Sequence, residues 1–160
     1  MQKPEYTVRI YAVILLNKNE ILVTDEYHFD TKMTKFVGGG MELGEGTLVC
    51  LQREAMEELG QELEILEHLY TTDFYQASEF YFGKQILAIY YLAKLKDQPK
   101  FEIMKKPYNF ELKNGNFGFR CIPLQQFSAE SVTLATDKKA VETFLLKLKN
   151  NGIQRIFGEA

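Results

Sequence analysis

The sequence predicts an α+β fold in which a mixed sheet is covered by helices on both faces. Three observations carry that expectation. Runs rich in β-branched and aromatic residues recur in both halves of the chain. One of them, residues 85–95, is apolar enough to suit a central strand. Two stretches have helical periodicity, one central and one near the end, so the sheet can be covered twice.

Residues 6–16 read as a strand, Asn17-Lys18-Asn19-Glu20 as a turn, and residues 21–24 as the returning strand of a hairpin. Phe36-Val37 is a short strand running into Gly38-Gly39-Gly40. The central helix is expected over residues 47–59. Thr47 can cap it, Leu48, Leu51, Ala55 and Leu59 share one face, and Gly60 stops it. Residues 62–74 return to strand, and a loop over 75–84 carries Tyr75, Phe80, Tyr81 and Phe82 ahead of the 85–95 strand. Residues 97–116 are polar and include Pro99, Pro107 and Asn114-Gly115-Asn116, which predicts a long excursion with little regular structure. Residues 117–122 form a strand closed by Pro123. A last helix runs from about 137 to 149, with Ala140, Val141, Phe144, Leu145 and Leu148 on one face. Nothing divides the chain, so residues 1–160 are treated as one unit.

At 160 residues, 46% hydrophobic and 26% charged, the chain can bury a full core without disulfide or metal staples. Its net charge of −3 argues against a stable nucleic-acid complex, which calls for a basic face. Cys50 and Cys121 are too few for a disulfide framework or a four-thiolate zinc site, and their contexts suggest packing thiols. His28 and His68 lie far apart, His68 on an expected strand surface, so a histidine-rich zinc site is not expected. The apolar run near the N-terminus is interrupted by Arg9 and is too short to span a membrane. A cytoplasmic protein without a membrane partner is the expectation, as a monomer or a homodimer.

One segment concentrates chemistry. Residues 38–60 hold six of the 11 glycines and five acids against Arg53 alone, a net of −4, so the rest of the chain carries +1. On the central helix Glu54 and Glu58 are one turn apart, with Glu57 at i+3 from Glu54. Glu-rich helices are most often solvated faces. Here, however, the helix is fed by Gly38, Gly39, Gly40, Gly44 and Gly46, which let the backbone approach a ligand, and Glu45 stands just before it. Clustered carboxylates repel one another, and Arg53 or a hard divalent cation would relieve them.

The spacing resembles the signature of the Nudix hydrolases: Gly, five residues, Glu, seven residues, Arg-Glu, an aliphatic, any residue, Glu-Glu, any residue, Gly and an aliphatic. Gly39, Glu45, Arg53, Glu54, Glu57, Glu58 and Gly60 are in register with it. The pattern departs where Val37 replaces a proline, where Ala55 is a small aliphatic, and where Gln61 is polar at the last position. None of these removes a charged group. The resemblance implies a Nudix-like α/β/α sandwich with a loop-helix-loop metal site. It implies Mg²⁺ (or Mn²⁺) held by Glu54, Glu57 and Glu58 with help from the Gly38 carbonyl. Glu45 and Arg53 would brace the loop and helix, and either Glu54 or Glu57 would act as general base. The implied activity is hydrolysis of the pyrophosphate bond of a nucleoside diphosphate linked to another moiety, as in a nucleotide sugar, a dinucleotide or a nucleoside triphosphate. The rival expectation is a Nudix-fold module that senses a nucleotide metabolite without turning it over.

Specificity must come from outside the signature. Phe80, with Tyr75, Tyr81 and Phe82, offers planar surfaces for a base, although strand-edge aromatics serve packing equally well. Tyr27, with His28 and Phe29, offers a second wall. Gly39 and Gly40 would let the backbone come close to substrate. Lys35, and near it Lys32, could meet a terminal phosphate, solvated surface lysines being the alternative. Glu111 precedes the 117–122 strand, where some members of the family place an additional acid.

Overall fold

The computed structural model describes residues 3–158. The unit expected over residues 1–160 also includes Met1, Gln2, Glu159 and Ala160, which lie outside the described residues. The elements are β1 (Glu5–Leu16), β2 (Glu20–His28), β3 (Thr31–Lys35), β4 (Val37–Gly40), α1 (Thr47–Leu59), β5 (Leu63–Thr71), β6 (Lys84–Leu95), β7 (Ile103–Met104), β8 (Phe117–Pro123), α2 (Ala135–Asn151) and α3 (Ile153–Phe157).

The strands form one mixed sheet in the order β5-β6-β1-β2-β8-β7, with β3 added to β2 and β4 added to β1. The long parallel pairing of β1 with β6, Glu5↔Lys84 through Leu15↔Lys94, is its axis. Strand alternation explains why β1 is apolar almost throughout its second half. Tyr11, Val13 and Leu15 join the core beneath α2 and α3, while Ile10, Ala12, Ile14 and Leu16 join the core beneath α1. From α2 come Ala140, Val141 and Phe144, and from α1 come Cys50, Leu51, Ala55 and Leu59. Burying a side chain such as Phe144 stabilises the fold by roughly 1.5–3 kcal/mol. The expected α+β sandwich is present.

Several details differ from expectation. Gly46, in extended conformation, is the N-cap of α1 and offers no side-chain hydrogen bond. Thr47 lies inside the helix, and its hydroxyl is within 2.7 Å of the Tyr91 hydroxyl. Leu48, in the first turn, is exposed although it shares the face of buried Leu51, Ala55 and Leu59, and Cys50 is buried beside them. Strand β3 was not legible in its polar sequence. It forms because Phe29 and Asp30 both adopt positive φ, 49° and 54°, and fold β3 back on β2. The 97–116 excursion carries only β7 and is tied down from both sides. Gln61, buried at the position where an aliphatic is usual, donates to the Gln98 carbonyl at 2.9 Å and accepts from the Lys100 amide at 2.7 Å. Buried Asp25 accepts from Arg120 at 2.7 and 2.9 Å and from the Tyr108 amide at 3.2 Å.

Candidate active site

The site is built where β4 leads into α1. Gly38 has a φ of +148°, and a Cβ there would stand 2.0 Å from the Ile10 carbonyl oxygen on β1. Only glycine fits that close approach. A Cβ on Gly39 would stand 2.5 Å from the carboxylate of Glu54, so the bare backbone of Gly39 makes the space in which Glu54 lies. The connection folds on itself through Glu42, whose amide donates to Glu45 Oε2 at 2.9 Å.

Arg53 organises the acids. Its Nε makes a short hydrogen bond to Glu45 Oε1, and its Nη2 reaches Glu45 Oε2 and the Gly40 carbonyl, each at 3.0 Å. Nη1 donates to Glu54 Oε1 at 3.0 Å and to Glu57 at 3.3 Å. The guanidinium fork matches this planar arrangement in a way an ammonium could not. The Arg53 hydrogen bonds hold the Glu45 carboxyl down at about 2. The Arg53 guanidinium is in turn raised above its ordinary value, Glu45 contributing most.

The three helix carboxylates occupy different environments. Glu57 is mostly exposed, whereas Glu54 is nearly covered against Gly39. Glu58 turns inward, and its Oε2 is buried without a hydrogen-bond partner. Burial pushes the Glu58 carboxyl up to about 7; Lys35 and the Gly38 backbone pull it down, and the Glu54 charge pushes it further up. Among the described residues no three acid, histidine or cysteine side chains already converge as a metal cage, because Arg53 takes Glu54 Oε1 and both oxygens of Glu57. Glu54 Oε2 and Glu58 Oε2 accept no hydrogen bond among those residues. This all-oxygen donor set, with one oxygen buried and orphaned, fits a hard divalent cation.

Beside this cluster lies a cavity of about 230 Å³, below the roughly 300–1,000 Å³ of sites that enclose a drug-sized ligand. Lys35 stands between the two, lining the cavity, bonded to Glu26 at 3.0 Å and within the field of Glu58. Burial alone would lower the Lys35 pKa, but Tyr11, Glu26 and Glu58 raise it overall. Phe80 and Tyr81 line the cavity, and Phe80 stacks on Phe29 with centroids 5.0 Å apart. His28 joins them, its Nδ1 buried without a partner. Tyr27 does not line the cavity, because alternation along β2 gives that wall to Glu26 and His28. Tyr75 and Phe82 border a separate shallow depression with Gly83 and Lys84. Lys32 lies over the Tyr108 ring at 5.2 Å. Glu111 is exposed on the β7–β8 connection; its carbonyl accepts from Asn116 Nδ2 at 2.9 Å, and it lines neither the cavity nor the acid cluster.

Sequence reasoning missed Arg9, Glu26 and the buried Asp137. Arg9 interrupts an apolar strand, which was a readable signal. Asp137 accepts from the Tyr90 hydroxyl at 2.5 Å beneath the cavity residues Ala135 and Thr136, and its position in the first turn of α2 gave no such signal.

Comparison with known proteins identifies the family and the fold. The model of the NUDIX domain matches residues 5–141. No curated protein matches in sequence. A NUDIX hydrolase from Nitrosomonas europaea superposes with a TM-score of 0.65 at 15% identity, over 94% of this chain and 74% of that one. A MutT protein from Methanosarcina mazei Go1 gives 0.61 at 19%, over 93% and 99%. A structure described as an ADP compounds hydrolase gives 0.58 at 16%, over 92% and 75%. At these identities the likeness establishes the fold.

Proposed function

Because the chain belongs to the Nudix family of pyrophosphohydrolases, we propose that it is a Mg²⁺- or Mn²⁺-dependent hydrolase. Its substrate is a nucleoside diphosphate linked to another group, cut at the pyrophosphate bond. The observation that carries this proposal is the buried, unpartnered Oε2 of Glu58 beside the free Oε2 of Glu54. A carboxylate oxygen sealed from water without a donor is costly unless a ligand completes it.

Glu54, Glu57 and Glu58 would hold the ion. When bound, it supplies Lewis-acid polarisation of a phosphate oxygen and a more acidic water. The remaining work falls to the chain. Arg53 fixes Glu45, Glu54 and Glu57 in one set of hydrogen bonds, and Glu57 would exchange its contact with Arg53 for the ion. Gly39 leaves Glu54 its place. Glu54 and Glu57 are the candidates for taking the proton of the attacking water at a carboxylate oxygen. The aromatic pair Phe29 and Phe80 provides a surface for the base.

The test is turnover of a panel of nucleotide sugars, dinucleotides and nucleoside triphosphates with and without Mg²⁺. Metal-dependent release of a nucleotide, abolished in Glu58→Gln and Glu57→Gln while both remain folded, is the expected result. Near-normal rates in both variants would overturn the assignment of the acids. Tight binding without turnover of any compound would make the protein a sensor.

A further inference from the structure

Among the described residues Arg9 forms no ion pair. It sits on β1 at the border between the cavity and the acid cluster, opposite Gly40 in the β1–β4 register. Its Nε donates to the Tyr11 hydroxyl at 2.6 Å. Among the described residues, its two terminal nitrogens donate to no protein atom, and no carboxylate comes within 4.0 Å. Three nearby acids each have at least one oxygen engaged elsewhere, and the fourth, Glu79 on the cavity wall, makes no ion pair with Arg9. Glu54 is held by Arg53 at 3.0 Å, Glu26 by Lys35 at 3.0 Å, and Asp137 by the Tyr90 hydroxyl. Tyr11 is itself fixed from behind by stacking on Tyr90, centroids 5.4 Å apart, so the guanidinium is oriented before any ligand arrives.

A partly buried guanidinium held in place with its fork open is complementary to an anion with two coplanar oxygens. The orphaned Nδ1 of His28 in the same cavity is a second polar group awaiting a partner. The aromatic wall of Phe29 and Phe80 supplies an apolar surface for a planar group, so the cavity combines anion capture with stacking.

We propose that Arg9 is the residue that positions the substrate, its guanidinium gripping the phosphate attached to the nucleoside so that the nucleoside enters the cavity and the bond to be cut lies over the acid cluster. The identity of the scissile bond rests on the hydrolase function proposed above. The anchoring role does not, since a sensor would need the same grip.

The experiment is calorimetric titration in EDTA with AMP, GMP, CMP and UMP and their four nucleosides, on wild type, Arg9→Gln and Arg9→Lys. EDTA removes any contribution of a metal held by the glutamates. Wild type should bind at least one monophosphate roughly tenfold or more tighter than its nucleoside, as a charge-assisted pair implies. Arg9→Gln should bring that ratio near one with nucleoside affinity kept, and Arg9→Lys should hold part of it. On wild type alone, the Arg9 Nε–H resonance, identified by its loss in Arg9→Lys, should move with the monophosphate and stay with the nucleoside, which settles the matter even if Arg9→Gln does not fold. An unchanged ratio in Arg9→Gln, no preference for monophosphates in wild type, or a still resonance would each overturn the proposal. Loss of turnover on the substrate panel with this ratio intact would instead remove only the hydrolase function.

Discussion

Gly38 and Gly39 are neighbours, yet alanine at each should fail in opposite ways. A Cβ at position 39 would stand 2.5 Å from Cδ and Oε1 of Glu54 and 2.6 Å from Oε2. Ordinary contact begins at 3.4 Å, so the carboxylate must retreat by about 0.9 Å. It is the far end of a flexible side chain, and Gly39 is outside the left-handed region, so the backbone has no reason to move. Stability should therefore change by less than about 1 kcal/mol, the smaller unfolded-state entropy of alanine helping slightly. A displacement of about 1 Å at a catalytic group costs on the order of 10²-fold in rate, and that loss of kcat/KM is expected of Gly39→Ala. At position 38 the obstacle is backbone, the Ile10 oxygen at 2.0 Å and Tyr11 Cα at 2.7 Å, and φ is +148°. Gly38→Ala should lose about 3 kcal/mol or more through strain and overpacking of β1. Urea denaturation measures the stabilities. Turnover of the best panel substrate and Mn²⁺ binding by electron paramagnetic resonance measure the site. Gly39→Ala with wild-type turnover and wild-type Mn²⁺ affinity would refute the idea that the space beside Gly39 is there for Glu54.

Three further outcomes are expected. Arg53→Ala should reduce Mn²⁺ affinity or turnover by roughly 10–100-fold, the usual cost of losing a group that orients metal ligands, and Arg53→Lys should recover little because an ammonium cannot span Glu45, Glu54 and Glu57 together. Burial raises the Asp137 carboxyl to about 6, so the folded protein favours its protonated form. That contribution is fully present below the ordinary value near 3.8 and is lost as pH rises through about 6; urea denaturation at pH 4 and pH 7.5 should show wild type losing about 3 kcal/mol relative to Asp137→Asn, which still accepts from Tyr90. Gln61→Leu, although closer to the family pattern, should destabilise the fold by about 1–3 kcal/mol, because it leaves the Gln98 carbonyl and the Lys100 amide without partners. An equally stable Gln61→Leu protein would show that water replaces both bonds.

The acid cluster was legible in the sequence because its geometry is local. Glu54, Glu57 and Glu58 are spaced by the helix itself, and the helical period is fixed by backbone hydrogen bonds whatever the rest of the chain does. Glu45 and Arg53 also lie within that segment, and the clustering of glycines before it marked the close approach to β1. The central strand, both helices and the two-sided cover could be read from apolar periodicity for the same reason. What remained hidden depended on partners distant in sequence. The polar β3 pattern is not that of a strand, and only its pairing with β2 makes it one.

The sequence alone therefore determined the family, the fold class and the cluster of acids at one helix, since each is written in spacings shorter than a few helical turns. The tertiary structure alone decided the cavity. It brings Arg9 of β1, Lys35 of β3, Phe29 of a hairpin turn and Phe80 of the β5–β6 loop together, and it withholds Tyr27, Tyr75, Phe82 and Glu111. Among the described residues it also leaves Arg9 without an ion pair, while Glu54, Glu26 and Asp137 bond to other groups. These outcomes follow from strand register and core packing among segments far apart in sequence, from Arg9 to Thr136, and no local pattern encodes which such segments meet.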